Sequence, residues 1–216
     1  MNTQQAYNNW SEQYDTNENK TRDLEAISLR EHIKGKQFEH CLEIGCGTGK
    51  NTEWLITQAS KVLAVDLSEE MLSKAKQKIS ALNVTFVQAD ITQDWSFTNG
   101  HQFDLATFSL VLEHIEDLEA IFKKLNQVVK SNGIVYIGEL HPFKQYNGSK
   151  ARFETSEGVQ VVTCFNHHIT DFVNAAKNNG FELININEYF DDNNKNVIPR
   201  ILTLLFKKYP TFDSII

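Results

Sequence analysis

The chain is short of the residues that staple a fold, stiffen it or carry it through a bilayer. Its three cysteines, Cys41, Cys46 and Cys164, are odd in number and scattered, so neither a disulfide framework nor a zinc site is suggested. Proline occurs three times, and no repeat, low-complexity tract or Pro/Gly-rich linker divides the 216 residues. One domain, 1–216, with a substantial core is therefore expected. No stretch approaches ~20 apolar residues, so no helical membrane span is expected. Basic residues are also scarce: 21 Lys and Arg stand against 28 Asp and Glu, a formal net charge of −7. The longest basic groupings, Lys207-Lys208 and the set Lys74, Lys76 and Lys78, read as solvated faces. A nucleic-acid partner is disfavoured on that balance. The opening Met1-Asn2-Thr3-Gln4-Gln5 lacks the charged-then-apolar build of a signal peptide, and the cytoplasm is the expected location.

What the chain does have is alternation. From Cys41 onward, apolar strands near 40–45, 61–66, 84–89, 103–108 and 133–139 are separated by amphipathic helices near 49–59, 69–81 and 115–130. The last of these helices sets Ile115, Leu118, Ile121, Phe122, Leu125, Val128 and Val129 on one face, close to a 3.6-residue period. Asn132-Gly133 is expected to turn the chain into the fifth strand. A helix near 167–179 stops at Gly180, and strands follow near 181–189 and 199–207. Strands alternating with helices predict an α/β fold with a parallel sheet. Two segments fall outside the pattern: residues 1–37, with Tyr7, Trp10 and Tyr14 on one helical face, and residues 142–165.

The run Leu42-Glu43-Ile44-Gly45-Cys46-Gly47-Thr48-Gly49 reads as strand, tight turn and helix start. Glycines there let backbone approach a ligand closely, and a helix start offers free N–H groups. The next strand ends in Asp66, which is placed to hydrogen-bond ribose hydroxyls. The dinucleotide fingerprint would need its third glycine at position 50, which is Lys50. Glu43, two residues before the first glycine, would repel a pyrophosphate and attract an ammonium or sulfonium. Acid followed by G-x-G-x-G resembles the first motif of the class I S-adenosylmethionine-dependent methyltransferases, and the resemblance extends over roughly residues 38–208.

That resemblance implies a Rossmann-like three-layer sandwich: seven strands, mostly parallel, the last antiparallel, with helices on both faces. It implies S-adenosylmethionine as cofactor and S-adenosylhomocysteine as product. Gly45 and Gly47 would border the methionine moiety, with Cys46 a small filler between them and Glu43 near the amino group. Asp66, with Leu67 after it, would read the ribose; Asp90 and Ile91 would meet the adenine. Met71 is either core or adenine packing. Ser109 and Leu110 would line the site beneath the sulfonium, and Tyr14 and Arg22 would close over the carboxylate end. Residues 1–37 are expected to supply lid helices over the core of 38–208, and 142–165 a substrate cap. Both are small, which favours a small-molecule substrate.

Two further groups invite chemical roles. His141, at the sheet's carboxyl edge, is the expected general base if one is used, with Glu139 second. Glu113-His114 resembles part of an E-x-x-E-H metal set found in some relatives, but its first position is Leu110, so no metal is expected. His167 and His168 are expected to cap or solvate a helix. The acceptor atom, O, N, S or C, stays open, as does monomer against homodimer. A tRNA- or protein-modifying methyltransferase and a non-catalytic S-adenosylmethionine-binding regulator are the alternative functions. The apolar tail from Tyr209 to Ile216 has no assigned role.

Overall fold

Capping side chains and buried stripes set the helices. In the computed structural model, which describes residues 2–16, 18–155 and 158–210, the chain opens with α1 (Thr3–Tyr14) and α2 (Lys20–Ile33). The Asn2 and Asn19 side chains accept first-turn N–H bonds that a helix cannot satisfy itself. The alternating part follows: β1 (Phe38–Ile44), α3 (Thr52–Gln58), β2 (Ala59–Asp66), α4 (Glu69–Lys78), β3 (Val84–Gln88), β4 (Phe103–Ser109), α5 (Leu118–Val128) and β5 (Val129–Leu140). Then come the short α6 (Pro142–Tyr146), a hairpin of β6 (Arg152–Thr155) and β7 (Gly158–Val161), α7 (Ile169–Asn178), β8 (Phe181–Tyr189) and β9 (Ile201–Lys208). Residues 211–216 of the apolar tail lie outside the described residues.

Seven strands form one sheet in the order β3-β2-β1-β4-β5-β9-β8. β1 to β5 pair in parallel, whereas β9 runs antiparallel to both β5 and β8. The connection from β8 to β9 contains no α-helix, so the chain turns straight back instead of crossing over. β9 is buried from Ile201 to Phe206, the continuous pattern of a strand covered on both faces; β8, at the edge, is largely exposed. This is the expected seven-stranded α/β sheet with its last strand antiparallel. The order reverses between β1 and β4, and in open α/β sheets ligands bind at the strands' carboxyl ends beside such a reversal.

Several boundaries differ from expectation for local reasons. Residues 49–51 remain a turn, and α3 begins at Thr52. β5 starts at Val129, four residues before Gly133, because it absorbs Asn132 (φ +63) and a register shift against β4. α2, expected as part of a lid, belongs to the core: Leu29 and Ile33 are fully buried in one cluster with Cys41, Tyr136 and Leu205. α1 instead packs over α4, and its Ala6 and Trp10 cluster with Met71 and Val162. Segment 142–165 forms α6 and the β6–β7 hairpin.

Candidate active site

β1 delivers its last residue, Ile44, into the glycine loop. An added Cβ on Gly45 (φ +74) would lie 2.1 Å from Val111 Cγ2, so this glycine is required by the neighbouring loop. Gly47 (φ +53) is different: a Cβ there would meet only Tyr14 Cε1 at 3.9 Å, so its open side faces the cleft. Asp66 ends β2 beside it. One carboxylate oxygen accepts the Gly47 N–H and the other the Ser68 N–H, each at 2.8 Å. Burial raises the Asp66 pKa, and these N–H bonds oppose the rise. Ser68 in turn caps α4 by accepting from Met71 N at 3.2 Å and donates to Asn8 Oδ1 of α1 at 2.6 Å.

A cleft of about 250 Å³ opens at these strand ends. Gly45, Gly47, Asp66 and Leu67 form one side of it. Asp90 and Ile91 form a second, and Ser109, Leu110 and Tyr14 close it. The wall at Asp90 is braced. Its Oδ1 accepts from the Thr92 N–H and hydroxyl at 2.9 and 2.7 Å, and Lys124 Nζ donates to the carbonyls of Ile91, Thr92 and Gln93 at 2.9, 2.7 and 2.7 Å. A small neighbouring pocket of about 40 Å³, which shares Tyr14, Gly45, Gly47, Ser109 and Leu110 with the cleft, is lined by Glu43, Cys46 and Arg22. Glu43 accepts the Thr52 hydroxyl at 2.6 Å, and burial pushes its pKa up to about 8. Arg22 stacks 3.9 Å over the Tyr14 ring and donates to the Tyr14 carbonyl.

Leu110 stands where this cleft meets a second chamber. It holds φ +58, a left-handed conformation costly for a residue with a bulky side chain. Three N–H groups fix it: Leu110 N donates to Gly138 O at 2.8 Å, and Val111 N and Leu112 N both donate to Glu139 Oε1, at 2.9 and 2.7 Å. Oε1 of Glu139 is therefore spent on shaping this loop, while Oε2 is buried without a hydrogen-bond partner among the described residues. Burial pushes the pKa of Glu139 up to about 8.

The second chamber, about 550 Å³, shares Tyr7, Tyr14 and Leu110 with the cleft and extends to Lys144, Lys150 and Arg152 of segment 142–165. Glu113 also faces it. That side chain is 6% exposed, and its Oε2 has no hydrogen-bond partner among the described residues. Burial raises its pKa as well. Glu113 follows β4 in a 3₁₀ turn (Leu112–His114) whose geometry no sequence pattern announces, so its direction was not foreseeable. Ligand atoms of Glu113, His114 and Cys164 lie within 4.8 Å of one another. His114 is already engaged there, however: Nδ1 lies 2.8 Å from the Thr163 carbonyl and therefore carries the proton, leaving Nε2 to accept the Tyr7 hydroxyl at 2.8 Å.

Two expected site residues are placed elsewhere. Met71 is 1% exposed and packs under α1 with Ala6 and Trp10, away from the cleft. His141 is fully buried as the N-cap of α6: Nδ1 accepts the Phe143 N–H at 3.1 Å, so Nε2 donates to Glu188 at 2.9 Å. Neither ring nitrogen is left to take a substrate proton. His167 bonds the Ile115 carbonyl at 2.7 Å, and His168 caps α7.

Residues 42–137 match the family model of a methyltransferase domain. An uncharacterized protein of Haemophilus influenzae is 30% identical over 149 residues, 66% of this chain and 57% of that one. A ubiquinone biosynthesis O-methyltransferase of Coxiella burnetii is 30% identical over 129 residues, 57% of this chain and 52% of the relative. The chain thus aligns with little more than half the length of these two curated relatives. An S-adenosylmethionine-dependent methyltransferase structure from Mesorhizobium loti superposes with a TM-score of 0.68 at 21% identity, covering 84% of this chain and 96% of that one. The matched segment runs from the end of β1 through the glycine loop to most of β5, and the sheet order is the Rossmann-like fold of the superposed S-adenosylmethionine-dependent methyltransferase structure.

Proposed function

We propose that the protein transfers a methyl group from S-adenosylmethionine to an O, N, S or C nucleophile of a small molecule. The observation that carries this is the pair of chambers meeting at Leu110, one lined by the glycine loop, Asp66 and Asp90, the other by the inserted segment. The first fits the donor chemically. Gly47 leaves its ligand side open, Asp66 and Asp90 offer carboxylates to sugar and base, and Glu43 offers a buried carboxyl to an ammonium. The Coxiella relative, named for small-molecule biosynthesis, agrees with an acceptor of that size.

When bound, S-adenosylmethionine supplies a methyl group already activated on its sulfonium, and transfer leaves S-adenosylhomocysteine. The protein's own task is mostly positioning and exclusion of water. Tyr7 and Tyr14 cover the junction from α1, and α1 is tied down from its far end: the Thr48 hydroxyl and Lys78 donate to the two Asp15 oxygens at 2.6 and 2.7 Å. Glu113 is the carboxylate facing the acceptor chamber, and we assign it removal of the acceptor's proton where the acceptor carries one. Calorimetric titration with S-adenosylhomocysteine tests the donor half. Binding is expected in the wild type, with a loss of at least about tenfold in Asp66→Ala, in which Gly47 and Ser68 lose their common acceptor. Absence of binding to the wild type would sink the proposal.

A further inference from the structure

The chain's charge and the charge of its second chamber have opposite signs. Over 216 residues the formal balance is −7. Yet five cationic side chains, Arg22, Lys144, Lys150, Arg152 and Arg200, line this chamber against a single carboxylate, Glu113, among the described residues. Three of the five have structural partners. Arg22 lies over Tyr14, Arg200 grips Asp191 with Nη2 2.6 Å from Oδ2, and Lys144 lies 3.8 Å from the same carboxylate. The side chains of Lys150 and Arg152 form no hydrogen bond or ion pair among the described residues.

Cations gathered on one concave wall focus field into it and draw in counter-ions. Arginine adds a planar fork that matches the two oxygens of a carboxylate or phosphate. A chamber of about 550 Å³ holds a small molecule. A polymer backbone would instead need cations running across an outer surface. Glu113, whose carboxyl lines the same space with Oε2 buried and without a hydrogen-bond partner among the described residues, gives the chamber a second polarity, suited to a proton-bearing nucleophile.

We propose that the methyl acceptor is a small molecule bearing a carboxylate or phosphate, and that Lys150 and Arg152 hold that anionic group. Resting on the methyltransferase reading above, this names its substrate class and assigns acceptor choice to segment 142–165.

The test uses the full chain saturated with S-adenosylhomocysteine and two matched pairs of probes: 3-hydroxypropionate against 3-hydroxypropanamide, and glycerol phosphate against glycerol. Calorimetry is expected to show one anion binding at least about tenfold tighter than its neutral partner. Whichever pair responds separates carboxylate from phosphate. In the double variant Lys150→Gln/Arg152→Gln the preference is expected to vanish while the S-adenosylhomocysteine Kd stays unchanged, which also shows that the variant is folded. Equal binding of charged and neutral partners, no binding of either anion, or a preference that survives in the double variant would each overturn the proposal. Failure of S-adenosylhomocysteine to bind the wild type would strike the methyltransferase reading instead. The anion preference would then be read on the chain alone.

Discussion

Glu139 shows how little a residue's type reveals about its use. A carboxylate at the end of a central strand has the chemistry of a base, and here it accepts two N–H groups of a strained loop. Glu139→Ala is expected to destabilise the fold by about 3 kcal/mol, since two buried donors lose their acceptor. Glu139→Gln, which keeps one acceptor oxygen, is expected to cost less. Urea unfolding of both variants measures the difference. Activity should fall in step with the loosening of Leu110 and without a shift in the pH profile, whereas Glu113→Gln should lower kcat by about 10²-fold or more with little change in stability. Asp66 and the glycine loop are legible in the sequence because their roles follow from backbone geometry at a strand end. His141 and Met71 are not, because a cap on α6 and a covering helix α1 are contributed by distant parts of the chain.

At the scale of elements, strands and helices follow from the alternation of apolar runs, and their errors collect at ends and insertions. β5 begins early because Asn132 can take a left-handed turn inside a strand. The part played by α2 was hidden because its buried face includes Glu25 and Ser28 as well as apolar residues. The loops β1–α3 and β4–α5 are coupled through Gly45 and Val111. Gly45→Ala is expected to cost about 2–4 kcal/mol, from the positive φ and the overpacked contact together. Adding Val111→Ala should recover the contact part and leave the backbone part. A double-mutant cycle in denaturant checks this, and full additivity would show the two loops to be independent.

The whole molecule keeps several carboxyls out of water. Burial pushes Glu25 up to about 7 and both Glu43 and Glu139 up to about 8. A carboxyl whose pKa rises on folding binds its proton more strongly in the folded chain, so stability falls as pH climbs from the ordinary 4.5 towards those values. His141, which burial lowers against the pull of Glu188, acts in the opposite sense below 6.5, so the clean window is pH 6.5 to 8. Across it, unfolding free energy of the ligand-free protein should decline by at most roughly 1.4 kcal/mol per pH unit for each such carboxyl. Glu25→Gln should flatten the lower part of that slope. Urea titrations at four pH values would decide, and a free energy rising through the window would contradict the assignment.

The ammonium of Lys124, with its three protons committed to the carbonyls of residues 91–93, has a use beyond bracing. An amine so held is a poor nucleophile toward acylating reagents, while most other lysines of the chain lie open. Its labelling rate is thus a built-in gauge of how often the wall at Asp90 comes loose. Slowing on addition of an adenosine compound would map occupancy of the cleft by mass spectrometry, without knowledge of the acceptor.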